Sequence, residues 1–190
     1  MVLKEQLAHF DRLFTVSDDP WQYRTAWTEQ RRFALMLAIL DRASYGRVFE
    51  AACATGAFTA LLADRCETLV ACDGSSIAVG AARRATSAFA NVTIEQWDIP
   101  DEWPHGGFDL VVLVDFLYYL TPVEIVDTVE AACASLPVHG SLLVGHWQRS
   151  AHDFRTSPQE VHVLVQSTVG RPPDRAYSEG DLVLELWDRS

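Results

Sequence analysis

Basic residues are scarce: 15 Lys and Arg stand against 26 Asp and Glu in 190 residues, a net charge of −11. A nucleic-acid-binding surface shows as a basic excess, so a small neutral or cationic molecule is the expected partner, with no nucleic acid. No apolar run approaches the roughly 18 residues that a membrane span needs, which excludes the membrane as partner. The opening MVLKEQLAHFDRLF intersperses charges where a secretory signal would have an unbroken apolar stretch, and the expected location is cytoplasmic. Cysteine is limited to Cys53, Cys66, Cys72 and Cys133, with no C-x-x-C pair, so the four read as small reduced core residues. The six histidines form no ligand triad, and no metal is expected. Internal repeats, low-complexity tracts and linkers are absent too. A single domain over 1–190 follows, with a helical cap over 1–45 and an α/β core over 46–190.

What is present is a core. Hydrophobic residues make up 49% of the chain and aromatics 11%, enough to exclude disorder. Charge is uneven: residues 1–50 carry seven basic and seven acidic side chains, 51–110 three and eight, 111–190 five and eleven. A site in the last two-thirds would favour a cation.

Leu3, Leu7, Phe10 and Phe14 recur at helical spacing and share one face of a short helix, which Ser17-Asp18-Asp19-Pro20 breaks. A second helix is predicted over 28–43, with Phe33, Met36, Leu37 and Leu40 inward. Short β-branched or apolar runs then follow at 47–51, 68–72, 92–95, 108–114 and 141–145. Helical segments over 58–65, 75–88 and 122–136 separate them. Pro158 opens a further helix to 169, and 176–179 and 182–188 read as closing strands around a turn at Gly180. Strand alternating with helix implies a doubly wound, mostly parallel seven-stranded α/β sheet with helices on both faces.

In such sheets ligands bind outside the carboxyl ends of the strands. Glu50 ends the first strand and leads into the small residues Ala51, Ala52, Cys53, Ala54, Thr55 and Gly56, then Ala57-Phe58-Thr59. Small residues let backbone approach a ligand, and the acid can take an amine. The G-x-G-x-x-G fingerprint is absent, which disfavours phosphate binding and a nicotinamide oxidoreductase. Asp73, followed by Gly74, ends the second strand and can accept both hydroxyls of a ribose. Asp98 follows the third and can accept from an adenine amine, while the Ile99 N–H donates to the ring.

This arrangement resembles the class I S-adenosylmethionine-dependent methyltransferases, a Rossmann-like fold. Glu50 to Gly56 is similar to their first motif, Asp73 to the ribose-binding acid, Asp98-Ile99 to the adenine contact, and 108–112 with Asp115 to the fourth motif. A closer resemblance is to the NodS branch, named for a rhizobial N-methyltransferase that acts on the deacetylated glucosamine end of a chitin oligosaccharide. It is carried by Asp19-Pro20-Trp21, Glu29 to Phe33, Glu50-x-x-Cys53-x-x-Gly56-Ala57-Phe58-Thr59, and Leu117-Tyr118-Tyr119-Leu120. The resemblance implies that S-adenosylmethionine is the cofactor. Its ligands would be Glu50, Ala52, Cys53, Gly56, Phe58, Asp73, Gly74, Asp98, Ile99 and Asp115, with Trp21 and Arg32 closing over it. Arg32, or else Arg31, would pair the methionine carboxylate. Ala52 and Ala54 stand where the family usually has glycine; a left-handed backbone there would cost roughly 1 kcal/mol.

Methyl transfer at a sulfonium needs a positioned nucleophile, and a base only if that nucleophile starts protonated. Asp115 and Tyr119 follow the fourth strand, and Asp115 could hold an ammonium. His146 follows the fifth, with an ordinary pKa suited to taking a proton, and His162 on the next helix could face the same cleft. The expected function is methylation of a small polar acceptor, foremost the amine of an amino sugar. An O-methyltransferase and a binding protein that kept the fold without catalysis are the alternatives.

Overall fold

The computed structural model describes residues 2–149 and 151–189, with side chains from residue 6 onward, so Leu3 of the first helical face lies outside the described side chains. The cap consists of α1 (Val2–Val16) and α2 (Trp27–Ile39). The core runs β1 (Tyr45–Ala51), α3 (Ala57–Ala63), β2 (Cys66–Asp73), α4 (Ser76–Ala85), β3 (Val92–Gln96), β4 (Leu110–Val114), α5 (Pro122–Ser135), β5 (Ser141–Trp147), α6 (Pro158–Val169), β6 (Arg175–Glu179) and β7 (Leu182–Asp188).

These form one seven-stranded sheet in the order β3-β2-β1-β4-β5-β7-β6. All neighbours from β3 to β5 pair in parallel, while β7 is antiparallel to both β5 and β6. The order reverses between β1 and β4: the chain winds outward to β3, then crosses back to β4. That reversal opens a crevice at the carboxyl ends of β1 and β4.

Strand alternation supplies two apolar faces. Phe49, Val111, Leu113, Leu142 and Val144 pack with α5 and α6 through Ile125, Val129, Val161 and Val165. Val48, Leu110, Val112, Leu143 and Leu184 pack on the other face with Phe33 and Met36 of α2 and Phe58 and Leu62 of α3. Both faces are apolar because both are covered by helices.

Most element boundaries shift by one to four residues from the sequence reading, and at three elements the local reason is visible. Helix α2 ends at Ile39 rather than 43, because Leu40 turns extended and the Arg65 guanidinium takes the carbonyls of Leu37, Arg42 and Ala43. Helix α4 spans Ser76–Ala85 rather than 75–88: Ser75 caps its start, and the Thr86 hydroxyl bonds back to the Ala82 carbonyl at its end. Strand β4 begins at Leu110, since the Asp109 carboxylate is spent accepting from the Arg47 N–H.

Candidate active site

A cavity of about 270 Å³ lies at the reversal point. Its floor is the turn after β1. Ala52 and Ala54 there adopt left-handed backbone, with φ of 54° and 48°, as does Asp115 after β4 at 55°. All three are on the cavity wall. Left-handed backbone costs a side-chain-bearing residue about 1 kcal/mol or more, so the turn is held by its surroundings. Part of that hold is visible: Ala54 N–H donates to Asp73 Oδ2 at 3.0 Å and Ser75 N–H to Asp73 Oδ1 at 2.9 Å.

The strand-end acids meet here. Glu50, Asp73 and Asp98 all line the cavity, as do Cys53, Phe58, Gly74 and Ile99. Glu50 is only 5% exposed, and its Oε2 has no hydrogen-bond partner. Burial, with the nearby charge of Asp73, pushes its carboxyl up to about 8. Burial also pushes Asp73 up to about 6, against the two N–H donors and with the charges of Asp11 and Asp98.

The opposite wall is built on Arg32 of α2, which is 3% exposed. Its Nε and Nη2 donate to Glu29 Oε2 at 3.0 and 2.7 Å, and its Nη1 to Asp115 Oδ2. Asp115 Oδ1 accepts from the Trp147 N–H at 3.2 Å. The expected partner of a cofactor carboxylate is therefore already paired twice.

The cap forms the roof. Gln6, Leu7, Phe10 and Phe14 of α1 line the cavity with Trp21 and Tyr23. The Asp19 carboxylate accepts from the N–H groups of Tyr23 and Arg24, which fixes the turn that presents both rings. Phe10 meets Tyr119 edge-on at 4.9 Å, and Phe14 meets Trp21 at 5.4 Å. Asp11 accepts from the Ser75 hydroxyl, and Gln6 reaches the Asp153 carbonyl, so α1 is tied down on both sides of the cavity.

Three expected site residues are not on the wall. Gly56 lies behind the turn, where its φ of 75° and a Cβ that would fall 2.9 Å from Ala82 Cα make it a packing residue between α3 and α4. His146 is fully buried on the far side of Tyr118, its ring 5.2 Å from that of His162 and 5.2 Å from Tyr118. Burial, with the charges of His162 and Arg32, holds His146 well below the usual histidine range, so it is neutral. His162 turns its Nδ1 to Glu185 Oε2 at 2.6 Å. Arg31, the alternative to Arg32, points outward to Glu179 and Tyr177. Sequence reasoning missed Glu29, Trp97 and Phe116 as cavity residues, whereas the first helix, too short to be stable alone and so expected to order on the body of the domain or on the bound cofactor, supplies the roof.

Residues 6–150 match the family of nodulation protein S, NodS. The chain belongs to the NodS family. It is 36% identical over 107 residues to nodulation protein S of Bradyrhizobium diazoefficiens, a stretch that covers 56% of this chain. The chain spans about half of that relative's length, 51%. A crystal structure of a candidate methyltransferase from Pseudomonas syringae is 35% identical, with a TM-score of 0.77 over 86% of this chain and 100% of that one. The N-methyltransferase NodS from Bradyrhizobium japonicum WM9, in complex with S-adenosyl-L-homocysteine, has a TM-score of 0.79 over 98% of this chain and 96% of its own, at 23% identity. The likeness in fold therefore extends through the cap, the crevice and the closing strands.

Proposed function

We propose that this chain transfers a methyl group from S-adenosylmethionine to a small polar acceptor, an amine such as that of an amino sugar. The observation that carries the reading is the row Glu50, Asp73 and Asp98 at three successive strand ends, lining one cavity together with Asp115 and Tyr119. The NodS N-methyltransferase with its bound S-adenosyl-L-homocysteine supports it.

The wall fits the cofactor. Glu50 Oε2 is a buried acceptor without a donor, and the cofactor's ammonium is one. Gly74 leaves room a side chain would fill, since a Cβ there would fall 2.7 Å from Asp98 Oδ1 and 2.6 Å from Leu7. Asp73, with one backbone N–H on each oxygen, keeps lone pairs for two ribose hydroxyls. Asp98 and the Ile99 N–H would take the adenine edge. Bound S-adenosylmethionine supplies a methyl group on a sulfonium, open to in-line displacement. The chain's own residues orient and enclose: Trp21, Phe10 and Phe14 exclude water, and Arg32 reaches a carboxylate by sharing its charge with Glu29 and Asp115. Burial raises the Tyr119 phenol, so its hydroxyl stays protonated and orients the acceptor as a donor. His146 and His162 lie off the cavity wall and are assigned no step.

Calorimetry with S-adenosyl-L-homocysteine tests the cofactor half; micromolar binding is expected, and no detectable heat overturns it. Methylation assays against a panel of amines, amino sugars and hydroxylated sugars test the acceptor half. Methyl transfer confined to hydroxyls would refute the amine.

A further inference from the structure

The cavity wall carries five carboxylates, Glu29, Glu50, Asp73, Asp98 and Asp115, and among the described residues Arg32 is its sole Lys or Arg. Three of the five belong to the strand ends of β1, β2 and β3, on one side of the reversal point. Glu29 and Asp115 belong to the other side, joined through Arg32 and tied by Asp115 to Trp147 at the end of β5. One guanidinium between two carboxylates leaves that side with one net negative charge.

The two carboxylates are not equivalent. Asp115 has a donor on each oxygen, Arg32 on Oδ2 and the Trp147 N–H on Oδ1. Glu29 has both of its donors, Arg32 Nε and Nη2, on Oε2, and its Oε1 has no partner among the described residues. Arg32 is pinned over aromatic faces as well, 5.0 Å from the Phe33 centroid and 5.8 Å from those of Tyr23 and Trp147. It cannot swing away to free either acid without leaving a buried cation unpaired. Glu29 Oε1 is thus the carboxylate oxygen on this side of the cavity that carries no donor at all among the described residues.

We propose that Glu29 is the specificity-determining residue for the acceptor: its Oε1 receives the N–H of an incoming ammonium, and the net charge of the Glu29–Arg32–Asp115 chain selects a cationic acceptor over anionic or neutral ones. The inference rests on the N-methylation reading and names the group that recognises the amine in its ammonium form; one N–H proton passes to bulk water before the freed lone pair takes the methyl group and S-adenosyl-L-homocysteine leaves. It reassigns to Glu29 the holding role that the sequence alone suggests for Asp115, each of whose oxygens already carries a donor. Anionic acceptors find no unpaired cation on the wall, and neutral ones leave Oε1 without its best donor.

The test uses the full chain with D-glucosamine and deacetylated chitotetraose as probes. Glu29→Gln keeps an oxygen for Arg32 and removes the charge. KM for the probe should rise about ten- to a hundredfold, the loss expected for one hydrogen bond to a charged group. The turnover number should change far less, and the Kd of S-adenosyl-L-homocysteine should stay within about twofold, below the roughly 1.4 kcal/mol of a tenfold change. Glu29→Asp should recover part of the loss. An unchanged KM in Glu29→Gln overturns the proposal, and so does a parallel collapse of S-adenosyl-L-homocysteine affinity, which would make Glu29 only a prop for Arg32. If the variant does not fold, wild type saturated with S-adenosyl-L-homocysteine decides: D-glucosamine should bind about tenfold tighter than D-glucose, and equal binding overturns the proposal. Methylation by wild type of no amine at all would instead sink the reading on which the inference rests.

Discussion

Glu50 shows how much of this site is a matter of single protons. Its ordinary carboxyl value is 4.5, and burial pushes it up to about 8 in the folded chain. An acid whose folded value is raised gives stability that is complete below its unfolded value and lost as pH rises through its folded one. The ligand-free protein should therefore lose roughly 2–4 kcal/mol between about pH 4.5 and pH 8, measured by thermal melts across that range. Glu50→Gln should flatten most of this slope, leaving a smaller fall that is over by about pH 6 from Asp73, which is pushed from 3.8 up to about 6. Identical slopes in variant and wild type would mean that Glu50 is ionised throughout. Glu50, Asp73 and Asp115 were legible because each is the first polar residue after an apolar run, and Asp98, which follows Glu95 and Gln96, by its place just beyond the third strand. His146 was not, since the sequence of β5 does not say which face its alternate residues take: Trp147 reaches the cavity wall and His146 is buried against α6. Glu29 was hidden for another reason, that a glutamate two residues into a cap helix reads as a solvated first-turn charge.

Among the elements, α1 is the one whose amphipathic face has a purpose beyond packing. Fifteen residues are marginal as an isolated helix, and this one is held by Phe10 and Phe14 against the aromatic roof and by Asp11 at the start of α4. Phe10→Ala removes the edge-on contact with Tyr119 and should raise amide exchange over residues 6–16. It should also speed S-adenosyl-L-homocysteine dissociation about tenfold, since losing a large half-buried aromatic costs upward of about 1 kcal/mol. Exchange mass spectrometry and stopped-flow release check the two together; unchanged release would show that α1 covers the cavity without retaining its contents. The existence of this helix was plain from spacing and its docking on the domain or its ligand from its shortness, but the residues it meets were not, because nothing local marks which distant side chains an apolar stripe will cover. The α/β alternation was the most readable feature, and helix α6 begins at Pro158 and ends before Gly170 as those two residues dictate. Helix ends without such punctuation, as at Ile39, depended on a distant arginine, Arg65.

For the molecule as a whole, the net charge of −11 and a cavity with one paired arginine among five carboxylates make a field that draws cations. S-adenosylmethionine carries one more positive charge than S-adenosyl-L-homocysteine, so raising salt from about 50 to about 500 mM should weaken the former about threefold more than the latter, as screening shortens the reach of the field. Equal salt slopes in parallel titrations would confine the effect of charge to direct contacts. The placement of β7 bears on how the chain reaches this state. Residues Leu182–Asp188 sit between β5 and β6, and pair with β5 from Ser141↔Asp188 to Trp147↔Leu182. During synthesis β5 therefore emerges some thirty-five residues before its outer neighbour, and until then it presents a bare row of amide groups next to the Trp147 that closes the cavity. A ribosome paused within that interval would hold a nascent chain with an open sticky edge, and the slow step of maturation would be a hairpin threading home last.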